Sequence, residues 1–125
     1  MAEDAAWTAD ELDLVARADE LEVAAERRDG THLPWTPIWV VVADGHLYVR
    51  TWVRRDTGWY GTAVASGRAR VRVPGLTADV VVVDVGATAP DGVTAAYRAK
   101  YGGTGADSVV TPSAVDSTLR LDPRR

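Results

Sequence analysis

Residues 38–53 read Ile38-Trp39-Val40-Val41-Val42-Ala43-Asp44-Gly45-His46-Leu47-Tyr48-Val49-Arg50-Thr51-Trp52-Val53, and this stretch decides the fold. Residues 38–42 form a short, mostly β-branched apolar run, as a buried strand requires. Asp44-Gly45 is a pair suited to a two-residue turn that needs positive φ at both positions. From His46 to about Val53 apolar and polar residues alternate, so the chain should turn back on itself as a hairpin with one face buried. Upstream, Pro34 and Pro37 keep residues 33–37 extended and irregular.

The rest of the chain is read outward from this hairpin. Thr8 and Glu11 have capping-box spacing, and Leu12, Val15 and Ala16 follow at helical intervals, so a helix starts near Thr8 and stops before Glu22. "LEVAAERRDGT" at 21–31 alternates and closes on Asp29-Gly30, which predicts a strand ending near Arg27 or Arg28, with a helical continuation as the alternative. "WYGTAVASG" at 59–67 has the spacing of two helical turns closed by Gly67. "RARVRVPGLTADVVVVDV" at 68–85 predicts a second hairpin turning at Pro74-Gly75, with Arg68, Arg70 and Arg72 on the face opposite Ala69, Val71 and Val73. "APDGVTAAYRAKYGG" at 89–103 predicts a helix with Asp91 near its start and Gly102-Gly103 at its end; the tail from Gly105 has room for at most one more strand. Five or six strands in successive hairpins, with short helices between them, make a mainly β protein: a small closed or nearly closed β-barrel with helices packed on it. One domain spanning residues 1–125 is expected, with an N-terminal helix within 1–17 and a C-terminal tail over 104–125.

Composition narrows the function. A formal charge of −4 excludes the general basic field that nucleic acids or anionic membranes require. The chain has no cysteine, hence no disulfide framework, thiolate nucleophile or cysteine-ligated zinc site. The apolar run Val80 to Val83 is far shorter than a membrane span, and the N-terminus is acidic where a signal peptide is basic; a cytoplasmic protein is the expectation. His32 lies beside prolines and His46 at a turn, so neither a catalytic triad nor a metal site is indicated. "GGTG" at 102–105 has no following lysine and reads as a helix stop rather than a phosphate loop.

One feature stands out against this acidic background. Residues 47–60, "LYVRTWVRRDTGWY", hold three arginines and four aromatic rings. Arg50 and Thr51 at the strand, with Arg54 and Arg55 in the following loop, are the guanidinium forks and hydroxyl that would hold a phosphate, and Trp52, Trp59 and Tyr60 would cover attached rings. The alternative is that the arginines are a solvated strand face and the tryptophans are core.

The segment "LYVRTWVRRDTGWYGTAVASGRARVRVPG" resembles the strand, phosphate-contacting loop, "WY" helix and next strand of the FMN- and deazaflavin-binding split β-barrels, a clan that includes the pyridoxamine-phosphate oxidases and the F420-dependent nitroreductases. Thr51 takes the hydroxyl position, Trp59 and Tyr60 match the aromatic pair, Ala65 matches the alanine, and Val71 and Val73 follow in the valine-rich strand. Thr62-Ala63, Gly67 and the charged Arg54-Arg55-Asp56-Thr57 depart from the nitroreductase pattern. "TPIWVVVADGHLYV" is similar to the clan's proline-led hairpin. "ADELE", "DGT", "IWVV" and "LYVR" resemble segments of an uncharacterised family within that clan.

The resemblance implies a split β-barrel oxidoreductase that binds FMN or F420 and acts on a small organic molecule as a homodimer, with Arg50, Thr51, Arg54 and Arg55 at the phosphate and Trp52, Trp59 and Tyr60 at the ring. Five tryptophans in so small a chain also favour a partner surface. On this reading Arg50→Ala weakens cofactor binding by roughly 1.5–3 kcal/mol and barely changes stability. The rival readings are a cofactor-free lyase, isomerase or cyclase drawing on Asp84, Tyr48, Tyr97, Tyr101 or His32, and a non-catalytic small-molecule binder.

Overall fold

In the computed structural model the described residues are 6–51, 58–88, 92–102 and 111–124. Helix α1, Ala9–Arg17, begins with both halves of the capping box: the Thr8 hydroxyl accepts from the Glu11 amide, and the Glu11 carboxylate accepts from the Thr8 amide. Strand β1 is Leu21–Ala25; Arg27 and Gly30 then close a turn, so the helical alternative for this stretch is excluded. The buried strand expected over 38–42 is instead two strands, β2 (Thr36–Ile38) and β3 (Val40–Ala43), separated by Trp39. The expectation of an irregular 33–37 is corrected at its end, because Pro37 lies within β2. An edge strand tolerates proline, since the missing amide can face away from the neighbouring strand.

Asp44 (φ 53°) and Gly45 (φ 75°) make the predicted turn into β4, His46–Val49. Helix α2, Gly58–Ser66, stops at Gly67, whose amide donates to the Ala63 carbonyl. Strands β5 (Arg68–Val73) and β6 (Leu76–Asp84) form the second hairpin. A 3-10 turn at Gly86–Thr88 leads on to α3, Gly92–Tyr101. The tail holds a short helix, α4 (Pro112–Asp116), which was not expected, and then β7 (Leu119–Pro123).

The seven strands form one antiparallel sheet in the order β2-β1-β5-β6-β7-β4-β3. They are not all successive hairpins: β7 enters between β6 and β4, pairing Val82 with Leu121 and Leu47 with Leu121 on its two sides. The edge strands β2 and β3 are consecutive in the chain, so the sheet curls until its two edges meet at Trp39. The result is a nearly closed barrel.

Burial follows the two-residue period. Leu21, Val23, Val40, Leu47, Val49, Ala69, Val71, Val80, Leu119 and Leu121 point inward and pack with Trp7 and Val15 at the N-terminal end and with Tyr60 and Ala63 of α2. In β4 the alternation is lost, and Leu47, Tyr48 and Val49 are all buried. There α3 covers the outer face, packing Val93 and Tyr97 against Val41 and Tyr48. On β5 the arginines face outward, as the alternation predicts, but cross-strand acids neutralise them: Arg70 with Asp79 at 2.9 Å and Arg72 with Glu22 at 2.7 Å.

Candidate functional site

Four polar or charged residues are buried among the described residues: Arg50, Thr51, Ser117 and Thr118. All four lie where β4 runs out beside the start of β7. This concentration marks the candidate site, since burying a polar group costs free energy unless it is bonded.

Each group is held. Arg50 is 4% exposed. Its Nε donates to Thr118 Oγ1 at 2.8 Å, one Nη donates to Thr94 Oγ1 on α3 at 3.0 Å, and the guanidinium lies 5.4 Å from the centre of the Tyr97 ring. Burial lowers the Arg50 pKa, with the Tyr97 hydroxyl acting in the opposite sense. The Thr51 amide donates to Ser117 Oγ at 2.9 Å, and the single Ser117 hydroxyl proton faces the carbonyls of Ala114 and Thr51. The Thr118 hydroxyl donates to the Val115 carbonyl, and its backbone carbonyl accepts the amides of Val85 and Gly86. Gly86 has φ +50°, and a Cβ there would come within 3.2 Å of the Asp116 carbonyl, so glycine is favoured at this close approach.

Of the residues expected at a cofactor, Arg50, Thr51, Trp59 and Tyr60 are described, whereas Trp52, Arg54 and Arg55 lie outside the described residues. Arg50 does not sit within a strand: β4 ends at Val49 and Arg50 follows it. Nor is it a solvated strand face. Tyr60 packs into the barrel core and Trp59 is half-buried against it, their rings edge to face at 5.5 Å. The sequence reading missed Thr94, Ser117 and Thr118. Thr111 ahead of Pro112 was a legible helix-start signal for α4, and Thr111 does cap it, accepting from the Ala114 amide.

Of the alternative acid–base candidates, Tyr48, Tyr97 and Tyr101 share one cluster between α3 and the sheet, whereas Asp84 and His32 lie outside it. Burial pushes the phenols of Tyr48, Tyr97 and Tyr101 above their ordinary value of 10.0, away from any role as a base near neutrality. Tyr101 bonds to the backbone of Asp19 and Val40 and stacks on Trp39 at 4.1 Å. Asp84 lies exposed at the end of β6, and His32 faces Glu26 at 3.6 Å. Among the described residues no three histidine or carboxylate side chains converge as a metal site, and no helix is long and apolar enough to cross a membrane.

The profile of a family described as "Uncharacterized protein conserved in bacteria (DUF2255)" matches residues 11–121. No curated protein matches the chain. Among solved structures, the heme storage protein HutZ from Vibrio cholerae is similar at 14% identity and a TM-score of 0.66, over 90% of this chain and 87% of that one. A FAD-binding protein from Mesorhizobium loti is similar at 17% identity and a TM-score of 0.61, over 95% and 91%. An F420 reductase shares 17% identity at a TM-score of 0.51, over 90% of each chain. The fold is the FMN-binding-like split β-barrel.

Proposed function

Because the chain belongs to the DUF2255 family of bacterial proteins and has the split-barrel fold, we propose that it binds a flavin-type cofactor, FMN or F420, and uses it as an oxidoreductase on a small organic molecule in the cytoplasm. The observation that carries this reading is the gathering of all four described buried polar residues at the end of β4. A guanidinium held rigid by two hydroxyls suits a phosphate group, and the chain runs directly from it to Arg54 and Arg55, two further forks. In this reading Arg50, Thr51, Arg54 and Arg55 form the cationic end, with Trp52, Trp59 and Tyr60 at the ring. When bound, the cofactor supplies hydride chemistry, and the protein supplies position and charge.

The heme association of HutZ is a weaker guide, because neither histidine of this chain lies at the buried polar group: His32 pairs across from Glu26 beyond the end of β1, and His46 opens β4 at the end opposite Arg50. The working unit in this proposal is a homodimer, since Trp35, Trp39 and Trp59 stay only half-buried in the single chain. The test is titration of purified protein with FMN, F420 and heme, followed by fluorescence and absorbance, with light scattering for mass. Saturable binding of FMN or F420 is expected. Binding of heme alone, or of none of the three, refutes the flavin reading, and a monomer by scattering refutes the dimer.

A further inference from the structure

We infer that Ser117 and Thr118 are positioning residues for the cationic end of the proposed site, acting by carrying the β4–β7 pairing two residues beyond its last backbone rung. The inference rests on the flavin reading only for what that end binds. The backbone ladder pairs Leu47 with Leu121, Tyr48 with Arg120 and Val49 with Leu119. The same register places Arg50 opposite Thr118 and Thr51 opposite Ser117, and at both rungs a side chain makes the bond.

Ser117 Oγ accepts from the Thr51 amide at 2.9 Å, as an opposing strand carbonyl would, while its one proton is shared between the Ala114 carbonyl at 2.6 Å and the Thr51 carbonyl at 3.0 Å. Thr118 Oγ1 accepts from Arg50 Nε at 2.8 Å and fixes the direction of the guanidinium. The backbone cannot make these rungs, because Ser117 is the C-cap of α4, at φ −85° and ψ 0°, and is not extended. Two hydroxyls, 66 and 68 residues away in the sequence, therefore set the placement of Thr51 and of the Arg50 guanidinium where β4 runs out.

The test compares wild type with Ser117→Ala, Thr118→Val and Thr118→Ser. The readout is the ratio of affinities for FMN and riboflavin, or for F420 and its phosphate-free deazaflavin core, since each pair differs on the phosphate side. The preference for the phosphorylated form should fall about tenfold in Ser117→Ala and Thr118→Val, with affinity for the phosphate-free form unchanged, and Thr118→Ser should restore it. Equal losses for both ligands, with the ratio kept, would mean a purely structural role and overturn the inference.

A wild type that binds no flavin defeats the cofactor reading alone, and the positioning is then read without ligand. Ser117→Ala should speed hydrogen exchange at the Thr51 amide about tenfold while the Leu47 and Val49 amides stay protected, and Thr118→Val should shift the Arg50 Nε–H resonance. Unchanged exchange and an unmoved resonance overturn the inference. Loss of protection across the whole ladder does so as well.

Discussion

Replacing Arg50 by alanine separates a buried arginine from an exposed one. An exposed strand arginine contributes at most about 1 kcal/mol. Arg50 instead donates to Thr118 and Thr94 at 2.8 and 3.0 Å from a position that is 4% exposed. Hydrogen bonds from a charged donor each carry about 1.5–3 kcal/mol, and truncation also opens a void over Tyr97. Against these stands the relieved desolvation of a buried guanidinium, whose size its lowered pKa signals only in direction. The net expectation is a loss of roughly 2–4 kcal/mol, lowering Tm by about 10 °C for a chain of this length. Arg50→Met keeps the stem volume without the donors and should fall between alanine and wild type. Thermal melts and urea titrations of the three proteins measure this directly. A shift in Arg50→Ala of less than about 2 °C would show that the bonds to Thr94 and Thr118 carry no net energy, which is the barely changed stability that the sequence alone led one to expect.

Tyr97 has its phenol raised above the ordinary 10.0 by burial, so the folded state keeps a proton that the unfolded chain releases; stability is fully present below pH 10 and falls as pH rises beyond it, and Tyr97→Phe should flatten that alkaline decline in a pH series of urea titrations. Thr8→Ala removes the acceptor for the Glu11 amide and should cost about 1 kcal/mol, read as a few degrees in Tm. Gly86→Ala places a Cβ 3.2 Å from the Asp116 carbonyl at φ +50° and should cost about 1–2 kcal/mol, with hydrogen exchange speeding first at Val85 and Gly86.

Much of the barrel was legible because its signals are local. Asp44-Gly45 and Pro74-Gly75 announce their hairpins, Thr8 and Glu11 cap their helix, and the alternation of Arg68 to Val73 states which side faces in. Apart from α4, whose start Thr111 and Pro112 did mark locally, the misreadings have one cause, which is that partners distant in the chain leave no local mark. Nothing in "LRLDP" says that Leu121 lies between Leu47 and Val82, and nothing around Trp39 says that a single apolar run divides into two strands at opposite edges of the sheet. The candidate site was half legible for the same reason. Arg50 and Thr51 stand out within an aromatic and cationic cluster, but their burial depends on Thr94, Ser117 and Thr118, which look like ordinary polar residues of a helix and a tail. Alternation made Arg50 look exposed. The covering helix α3, contributed by residues more than forty positions later, reversed that.

The seam at Trp39 bears on how this protein meets other molecules. The first and last strands of the sheet are successive stretches of one chain tied by a single residue, which is itself clasped by Tyr101. A foreign strand approaching either rim meets the other rim at the same place, so topology obstructs edge-on growth without charges or prolines having to guard the whole border. Severing that tie, as in a circular permutant whose new ends fall at residue 39, would leave every rung of the ladder in place and yet release both rims, turning a self-contained sheet into one that can lengthen by recruiting strands.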